Sequence, residues 1–198
     1  FIADEYLARG VAVALPNYTL APHASVSAIV DEACTAVSWL TTQGERHGYD
    51  ASRIVLSGHS AGGHMAARAL CRDLVPALAG RIRGYVGLSG LFDLEPLLRT
   101  SINRDLHMSA AEARSLGLYQ RAALYEVPMV FAAGALETEG FRGQSRDFSQ
   151  HCASHGYAVE NLVVPQRNHF DLLTDFAGGS YPLFNKTLDL LLPGAGRA

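Results

Sequence analysis

Residues 53–64 read RIVLSGHSAGGH, so that a run of apolar residues leads directly into the pattern Gly-x-Ser-x-Gly and then into a helix of small residues. This succession of strand, tight turn and helix is typical of a nucleophile elbow, in which a strained backbone exposes the serine hydroxyl above a sheet. Gly58 and Gly62 occupy the two positions at which we expect a Cβ to collide with neighbouring backbone. We therefore predict that Ser60 is a nucleophile at the end of a β-strand.

The rest of the chain alternates strand-like and helix-like patterns. Apolar runs bounded by turn residues predict strands over residues 11–15, 54–57, 85–89, 128–132 and 158–164, the first of them buried on both faces. Apolar periodicity and capping residues predict helices over residues 1–9, 26–40, 61–72 and 141–155, and a last helix from about Pro182. Such alternation is typical of a single α/β domain with a mostly parallel sheet flanked by helices.

Residues 92–126 interrupt this alternation. They carry no strand pattern, but Ser109 and Glu112 form a capping box ahead of a short helix that Gly117 closes. We predict a helical insertion over the C-terminal edge of the sheet, where it would act as a lid.

The composition indicates the class of partner. The chain has 198 residues, of which 48% are hydrophobic and 18% charged, and its formal net charge is −3. Because there is no cluster of Lys and Arg, the charge pattern argues against nucleic acid or an anionic membrane surface as the main partner. We expect a small-molecule substrate, and the sequence leaves open whether the protein forms a homodimer.

The three cysteines, Cys34, Cys71 and Cys152, are far apart in the chain, and each falls in a predicted helix. We therefore expect reduced thiols without a disulfide, as in a reducing compartment. No apolar run reaches the length of a membrane span, and the first residues do not form a signal segment. These features favour a cytoplasmic location.

A serine hydroxyl is a weak nucleophile near neutral pH, so Ser60 needs a base within hydrogen-bond reach and an acid that orients the base. After an elbow of this kind, the acid and then the histidine follow later strands of the sheet. Glu137 lies just beyond the strand at residues 128–132, and His169 lies just beyond the strand at residues 158–164. We predict that Ser60, Glu137 and His169 form a catalytic triad.

Other carboxylates compete with Glu137 for the acid role. Asp93 follows the strand at residues 85–89, while Asp171 and Glu139 lie close in sequence to the chosen residues. Alanine replacement of Glu137 and of Asp93 would separate the two main candidates.

A pair of histidines has the spacing of a metal site. His151 and His155 are four residues apart on a predicted helix, but neither a third ligand nor a Glu base accompanies them. We therefore expect both histidines on a solvated helix face, and we predict no metal and no other cofactor.

With these residues placed, the whole chain resembles the C-terminal three quarters of an α/β-hydrolase. More narrowly, it resembles the metal-independent kynurenine formamidases (arylformamidases) in five segments: NYTLAP at 17–22, GHSAGGH at 58–64, SGLFDLEPLL at 89–98, the Glu137-x-x-x-Phe141-x-x-Gln144-Ser145 block and HFD at 169–171. The first two segments are shared with esterases of the hormone-sensitive-lipase type. The segments at 89–98 and 141–145 separate the two families.

The resemblance implies hydrolysis of N-formyl-L-kynurenine to kynurenine and formate, with aryl esters as side substrates. His169 would deprotonate Ser60 for attack on the formyl carbon, and backbone donors that include the Ala61 N–H would hold the oxyanion. Water would then cleave the formyl-serine. We expect the aromatic part of the substrate to lie under the lid against Phe92, Tyr119 or Phe170.

One part of the family pattern is missing from this chain. The second oxyanion donor is expected from a His-Gly-Gly loop before the first helix, reached from a strand that lies between those at residues 11–15 and 54–57. Neither occurs in the 198 residues, which begin with Phe1 rather than Met. We therefore expect an incomplete domain that lacks N-terminal strands, with a gap in its sheet, low stability and activity reduced roughly a hundredfold or more.

Two other functions stay open at this point. A carboxylesterase acting on short acyl or aryl esters would use the same triad, and its specificity constants would favour p-nitrophenyl esters over N-formylkynurenine. A non-catalytic binding module on a hydrolase scaffold would leave Ser60 unlabelled by an organophosphate.

Overall fold

Four parallel strands form the sheet in the part of the chain that the structure, a computed structural model, describes: residues 1–120 and 123–192. The strands are β1 (Ile54–His59), β2 (Ile82–Leu88), β3 (Met129–Gly134) and β4 (Val159–Val164), and their order in the sheet follows the sequence. Every neighbouring pair is parallel. The predicted α/β fold with a parallel sheet is confirmed, and four of the five predicted strands form.

Helices connect the strands and cover both faces of the sheet. The described α-helices are α1 (Asp4–Leu7), α2 (Val26–Leu40), α3 (Gly44–His47), α4 (Ala61–Ala69), α5 (Asn103–Leu106), α6 (Ala110–Leu116), α7 (Glu139–Ser154), α8 (Leu172–Ala177) and α9 (Pro182–Leu191). Short 3-10 helices span Pro76–Leu78 and Glu95–Arg99. Within the described ranges, no helix has both the length and the apolar character needed to cross a membrane.

Side chains of the central strands alternate between two layers of helices. Tyr85, Met129 and Phe131 pack with residues of α2, α4 and α7, whereas Val86 and Val130 pack with residues of α1, α8 and α9. Every residue of β3 is buried, because this strand has a neighbour on each side and helices on both faces. The C-terminal ends of the four strands consequently lie along one rim of a three-layer structure.

Residues 11–15 do not form the predicted strand. The segment makes no β-ladder, and Leu15 is 69% exposed. Val11 and Val13 pack against the cluster of α1, α8 and α9, whereas Ala12 and Ala14 are exposed. The segment is therefore covered on one face only. It forms no ladder because a ladder requires a neighbouring strand, and none of the described residues supplies one.

A cleft of about 790 Å³ separates this segment from β1. Residues 11–18 and residues 54–57 of β1 both line this cleft. Gly62, Met65 and Ala66 of α4 also face this space, which we call the β1 cleft. It has the position of the gap that the sequence predicts in the sheet.

The predicted insertion at residues 92–126 has several short helices in its first part. It contains the 3-10 helix Glu95–Arg99, α5 and α6, while its residues 121 and 122 lie outside the described part of the chain. The Glu112 carboxylate accepts from Ser27 N–H in α2 at 3.2 Å, and the Gln144 side chain of α7 bonds to the backbone at the start of the insertion. The role of a lid stays a prediction.

Cys34, Cys71 and Cys152 are all buried, and no disulfide joins any two of them. Burial raises the pKa of the Cys34 thiol to about 11 and that of the Cys152 thiol to about 12. Both groups are therefore protonated near neutral pH and act as packing residues.

Candidate active site

Ser60 lies at the turn between β1 and α4. Its backbone has φ 56° and ψ −119°, a conformation that residues other than glycine rarely adopt. The Ser60 N–H donates to the Leu88 carbonyl at 2.8 Å and so fixes the turn against the end of β2. A Cβ on Gly58 would lie 2.1 Å from the Gly62 carbonyl oxygen. The strained, tightly packed turn is thus the geometry of a nucleophile elbow.

The steric prediction for Gly62 is wrong. A Cβ at this position would meet no atom within 4 Å, because Gly62 faces the β1 cleft. The crowded position is Gly63, where a Cβ would lie 2.9 Å from Gly90 Cα and 3.1 Å from the Gly58 oxygen. Helix α4 therefore packs closely on its β2 side and leaves open space on the other.

Ala61 is the first residue of α4. The first N–H groups of a helix have no acceptor within the helix, and they form its positive end. The predicted oxyanion donor consequently lies directly beside the Ser60 hydroxyl, at a point where negative charge is stabilised.

Glu137 and His169 meet at the rim of the sheet. The His169 Nδ1 lies 2.8 Å from Glu137 Oε2, and the Glu137 side chain is fully buried whereas that of His169 is 18% exposed. An ionised carboxylate can only accept hydrogen bonds, so the imidazole carries its proton on Nδ1 and leaves Nε2 as a proton acceptor. This is the tautomer that a general base requires.

His59 joins the elbow to the histidine loop. Its Nε2 donates to the His169 carbonyl at 2.7 Å, and the two imidazole rings lie 4.4 Å apart. Burial is the largest influence on the pKa of His59; it lowers this pKa and favours the neutral form. Among the described residues Ser60 makes no hydrogen bond with His169, and such contacts often tighten only when substrate binds.

Aromatic rings surround the His169 imidazole. Phe141 of α7 lies 4.1 Å away between centroids, and Phe170 lies 5.4 Å away in an edge-to-face arrangement. The ring of His59 is the third neighbour. These three ring contacts, at centroid distances of 4.1, 4.4 and 5.4 Å, restrict the orientation of the imidazole.

The loop that carries His169 is tied down on two sides. Arg167 forms an ion pair with Asp175 of α8, and the Arg167 carbonyl accepts from Leu136 N–H at 2.9 Å. The Asp171 carboxylate accepts from Asn168 N–H at 2.6 Å. The histidine loop and the loop before Glu137 are therefore held in register by backbone as well as side chains.

The competing carboxylates are engaged elsewhere. Asp93 accepts from Glu95 N–H at 3.0 Å, Asp171 binds Asn168, and Glu139 forms ion pairs with two arginines of its own helix. Of the four candidate acids, Glu137 is the one that contacts the His169 imidazole.

The three predicted substrate contacts lie in different surroundings. Phe92 is fully buried and stacks on Phe148 at 4.5 Å between ring centroids, so it is a core residue and the prediction is wrong for it. Tyr119 is half-buried and packs on the edge of Phe148. Phe170 is 80% exposed beside His169. Of these three predicted residues, Phe170 is therefore the one that contacts the candidate triad.

His151 and His155 contact each other, with ring centroids 4.3 Å apart, and His155 Nδ1 donates to the His151 carbonyl at 2.8 Å. Across residues 1–120 and 123–192, no group of three or more His, Cys, Asp or Glu side chains is arranged to hold a metal ion.

Proteins of known name are similar in sequence to most of this chain. Kynurenine formamidase of Salmo salar is 28% identical over 96% of this chain, and that of Danio rerio is 26% identical over 96%. Isoprenylcysteine alpha-carbonyl methylesterase of Arabidopsis thaliana is 26% identical over 92%. The chain spans 66% of the length of each formamidase and 49% of that of the methylesterase.

Solved structures give the same fold. A protein of Silicibacter sp. tm1040 superposes with a TM-score of 0.80 at 31% identity, over 92% of this chain and 66% of that chain. Esterase 2 of Thermogutta terrifontis superposes with a TM-score of 0.65 at 22% identity, over 88% of this chain and 67% of that chain. A family profile described as alpha/beta hydrolase fold matches residues 5–170. The chain therefore belongs to the α/β-hydrolase family.

Proposed function

We propose that this chain carries the triad of a serine hydrolase that cleaves N-formyl-L-kynurenine to kynurenine and formate. The observation that supports it most is the hydrogen bond between Glu137 and His169 at the sheet rim, next to the strained elbow of Ser60. Similarity to two kynurenine formamidases over 96% of the chain supports the choice of substrate.

In the first half of the reaction, His169 Nε2 accepts the Ser60 hydroxyl proton while Ser60 Oγ attacks the formyl carbon. Glu137 stabilises the imidazolium that forms, and the Ala61 N–H stabilises the oxyanion. His169 then donates its proton to the amide nitrogen as the carbon–nitrogen bond breaks. The arylamine leaves and a formyl ester of Ser60 remains.

In the second half, water takes the place of the amine. His169 accepts a proton from the water as its oxygen attacks the formyl ester, and it returns that proton to Ser60 Oγ as the ester bond breaks. Formate leaves, and the triad is restored in its starting protonation state.

The surroundings of His169 suit an aromatic leaving group. Leu136 and Phe170 are 68% and 80% exposed, and both belong to loops that join beside His169. Large exposed apolar side chains next to a buried ion pair offer a surface on which an aromatic ring can stack. Tyr119 and the insertion would complete this surface only if the insertion acts as a lid.

A carboxylesterase is the second candidate. It is favoured by the similarity to a methylesterase over 92% of the chain and by a structural likeness to an esterase. The same triad would release an alcohol instead of an amine, so the two functions differ in leaving group and not in nucleophile.

The test compares specificity constants of the 198-residue chain for N-formyl-L-kynurenine and p-nitrophenyl acetate. The ratio of the two constants is informative at any absolute rate, because both substrates depend on the same nucleophile. We expect the formamide to be preferred by about tenfold or more, with Ser60→Ala inactive on both. A preference for the ester would replace the formamidase by the esterase, and turnover that survives Ser60→Ala would contradict both.

A further inference from the structure

Ser89 immediately follows β2 at the same rim as the triad. It is fully buried, and its N–H donates to the Ala132 carbonyl at 2.7 Å. Its hydroxyl lies 2.6 Å from Glu137 Oε1. A buried hydroxyl that contacts a buried carboxylate at this distance donates its proton, because the carboxylate can only accept.

The Glu137 carboxylate is held by groups from three segments of the chain. Oε1 accepts from Ser89 Oγ and from Gly134 N–H at 2.7 Å, and Oε2 accepts from His169 Nδ1. The torsion that orients a glutamate carboxylate is soft, so one backbone donor from its own loop leaves the plane free to turn. The donor on the neighbouring strand removes that freedom and points Oε2 at the imidazole.

The backbone of Ser89 is strained. Its φ is +47°, in the left-handed region where glycine is favoured over serine. Strain of this kind persists where the surrounding structure fixes the residue, and it occurs often at functional sites. A glycine at position 89 would relax the backbone but would lack the hydroxyl.

We propose that Ser89 is a positioning residue, whose hydroxyl fixes the Glu137 carboxylate in the orientation that binds His169. The inference rests on the proposed function, because it concerns the triad of that reaction. Ser89 itself contacts neither the substrate nor the nucleophile; it acts through Glu137.

The test is a double-mutant cycle on the 198-residue chain, with the rate at which a fluorophosphonate labels Ser60 as the measured quantity. Ser89→Ala should slow labelling about tenfold to a hundredfold, the range for loss of a hydrogen bond to a charged group. In a Glu137→Ala background the same substitution should have no further effect, because the group that it positions is gone. A role confined to packing would slow labelling equally in both backgrounds.

Two further variants separate positioning from stability. Ser145→Ala is the matched control, because Ser145 is also buried while its Oγ has no hydrogen-bond partner among the described residues; it should change labelling by less than about twofold. Ser89→Gly removes the same hydroxyl but relaxes the backbone, so it should melt higher than Ser89→Ala and still label slowly.

The outcomes are distinguishable. Additive effects in the cycle, or a Ser89→Gly chain that labels at the unsubstituted rate, would overturn the inference while leaving the triad intact. A Glu137→Ala chain that labels as fast as the unsubstituted chain would overturn the proposed triad and the Ser89 inference together.

Discussion

The two edges of β1 differ in how completely they are packed. On one edge, β2 pairs with β1 from Ile54 to His59, and the Ser60 N–H extends this ladder to Leu88. On the other edge, the β1 cleft separates β1 from residues 11–18. The groups that we assign to chemistry, Ser60, Glu137 and His169, lie at the ends of β1, β3 and β4, where the chain is densely packed.

This contrast in packing decides which chemical roles the residues of this chain can fill. A nucleophile, a base and an acid need precise orientation, and the packed side provides it through hydrogen bonds and ring contacts around Glu137 and His169. The family resemblance leads us to expect the second oxyanion donor on the cleft side of the elbow, where Gly62, Met65 and Ala66 of α4 line the β1 cleft. We therefore expect acid and base substitutions to dominate the kinetics.

The largest expected effect comes from the acid. Glu137→Ala should lower kcat about a thousandfold to ten-thousandfold while KM changes little, because it removes stabilisation of the imidazolium. Asp93→Ala should stay within about tenfold of the unsubstituted chain, since the Asp93 carboxylate accepts from the Glu95 N–H and does not contact His169. Steady-state kinetics of both variants on one substrate would check this. Loss of turnover in Asp93→Ala with normal turnover in Glu137→Ala would show that the catalytic acid is Asp93, after β2, and not Glu137, after β3.

A second prediction concerns pH and the packed side of α4. His64 is buried, its Nδ1 donates to the Leu91 carbonyl at 2.8 Å, and burial lowers its pKa to about 4. Between the ordinary value of 6.5 and about 4, the unfolded chain binds a proton that the folded chain does not. Stability is therefore greatest above pH 6.5 and falls as the pH decreases towards 4, in total by on the order of 3 kcal/mol.

The His64→Asn variant isolates this effect, because the amide N–H can still donate to Leu91 but does not titrate. Urea unfolding at pH 7 and at pH 4.5 should show a smaller loss of free energy for the variant than for the unsubstituted chain. An equal loss of unfolding free energy in the variant and the unsubstituted chain would show that His64 does not take up a proton on unfolding. The imidazole would then not be buried as the structure has it.

The third prediction compares two adjacent glycines that face opposite sides of α4. Gly63→Ala should destabilise the chain by about 1–3 kcal/mol, because its Cβ would overlap the backbone of Gly90. Gly62→Ala should stabilise it by about 0.5–1 kcal/mol, because alanine favours the helix and the β1 cleft leaves room for the methyl group. Denaturant unfolding of the two variants measures both; a loss for Gly62→Ala as large as that for Gly63→Ala would contradict the open edge.

The smallest expected effect is a difference between neighbouring amides of β1. The Ser60 N–H faces β2, so strand alternation turns the Gly58 N–H towards β2 and the Ser57 N–H towards the β1 cleft. Amide hydrogen exchange followed by NMR should be about tenfold or more faster at Ser57 than at Gly58. Equal protection would mean that the cleft edge is paired in solution.

Much of the packed side could be predicted from the sequence. β2, β3 and β4 have apolar runs that end at turn residues, and Glu137 and His169 were found from their positions just after strands. These signals are local, and parallel strands bring such positions to one rim without further information.

The open side and the supporting contacts could not be predicted, for physical reasons. Residues 11–15 have the apolar composition of a strand. A ladder also requires a neighbouring strand, and the apolar pattern of one segment carries no information about its neighbours. Whether Gly62 or Gly63 is crowded depends on what packs against each face of α4. Phe92 follows a strand as a site residue would, yet it stacks on Phe148 from a helix far away in sequence.

The position of Ser89 just after a strand is a local signal in the sequence. Ser89 follows β2 directly, in the same relation to its strand as Glu137 and His169 have to theirs. A serine is common at strand ends, so its contact with Glu137 became visible only when the two strands were placed side by side. Arg167 and Asp175 are a similar case, because their ion pair depends on how α8 packs.

A crystal structure of this chain after reaction with a fluorophosphonate would show whether His169 acts on Ser60. We predict a phosphonyl group on Ser60 Oγ, with His169 Nε2 about 3 Å from that oxygen and the phosphonyl oxygen about 3 Å from the Ala61 nitrogen. An unmodified Ser60, or an imidazole that stays bound to Glu137 while its Nε2 points away from the adduct, would contradict the account.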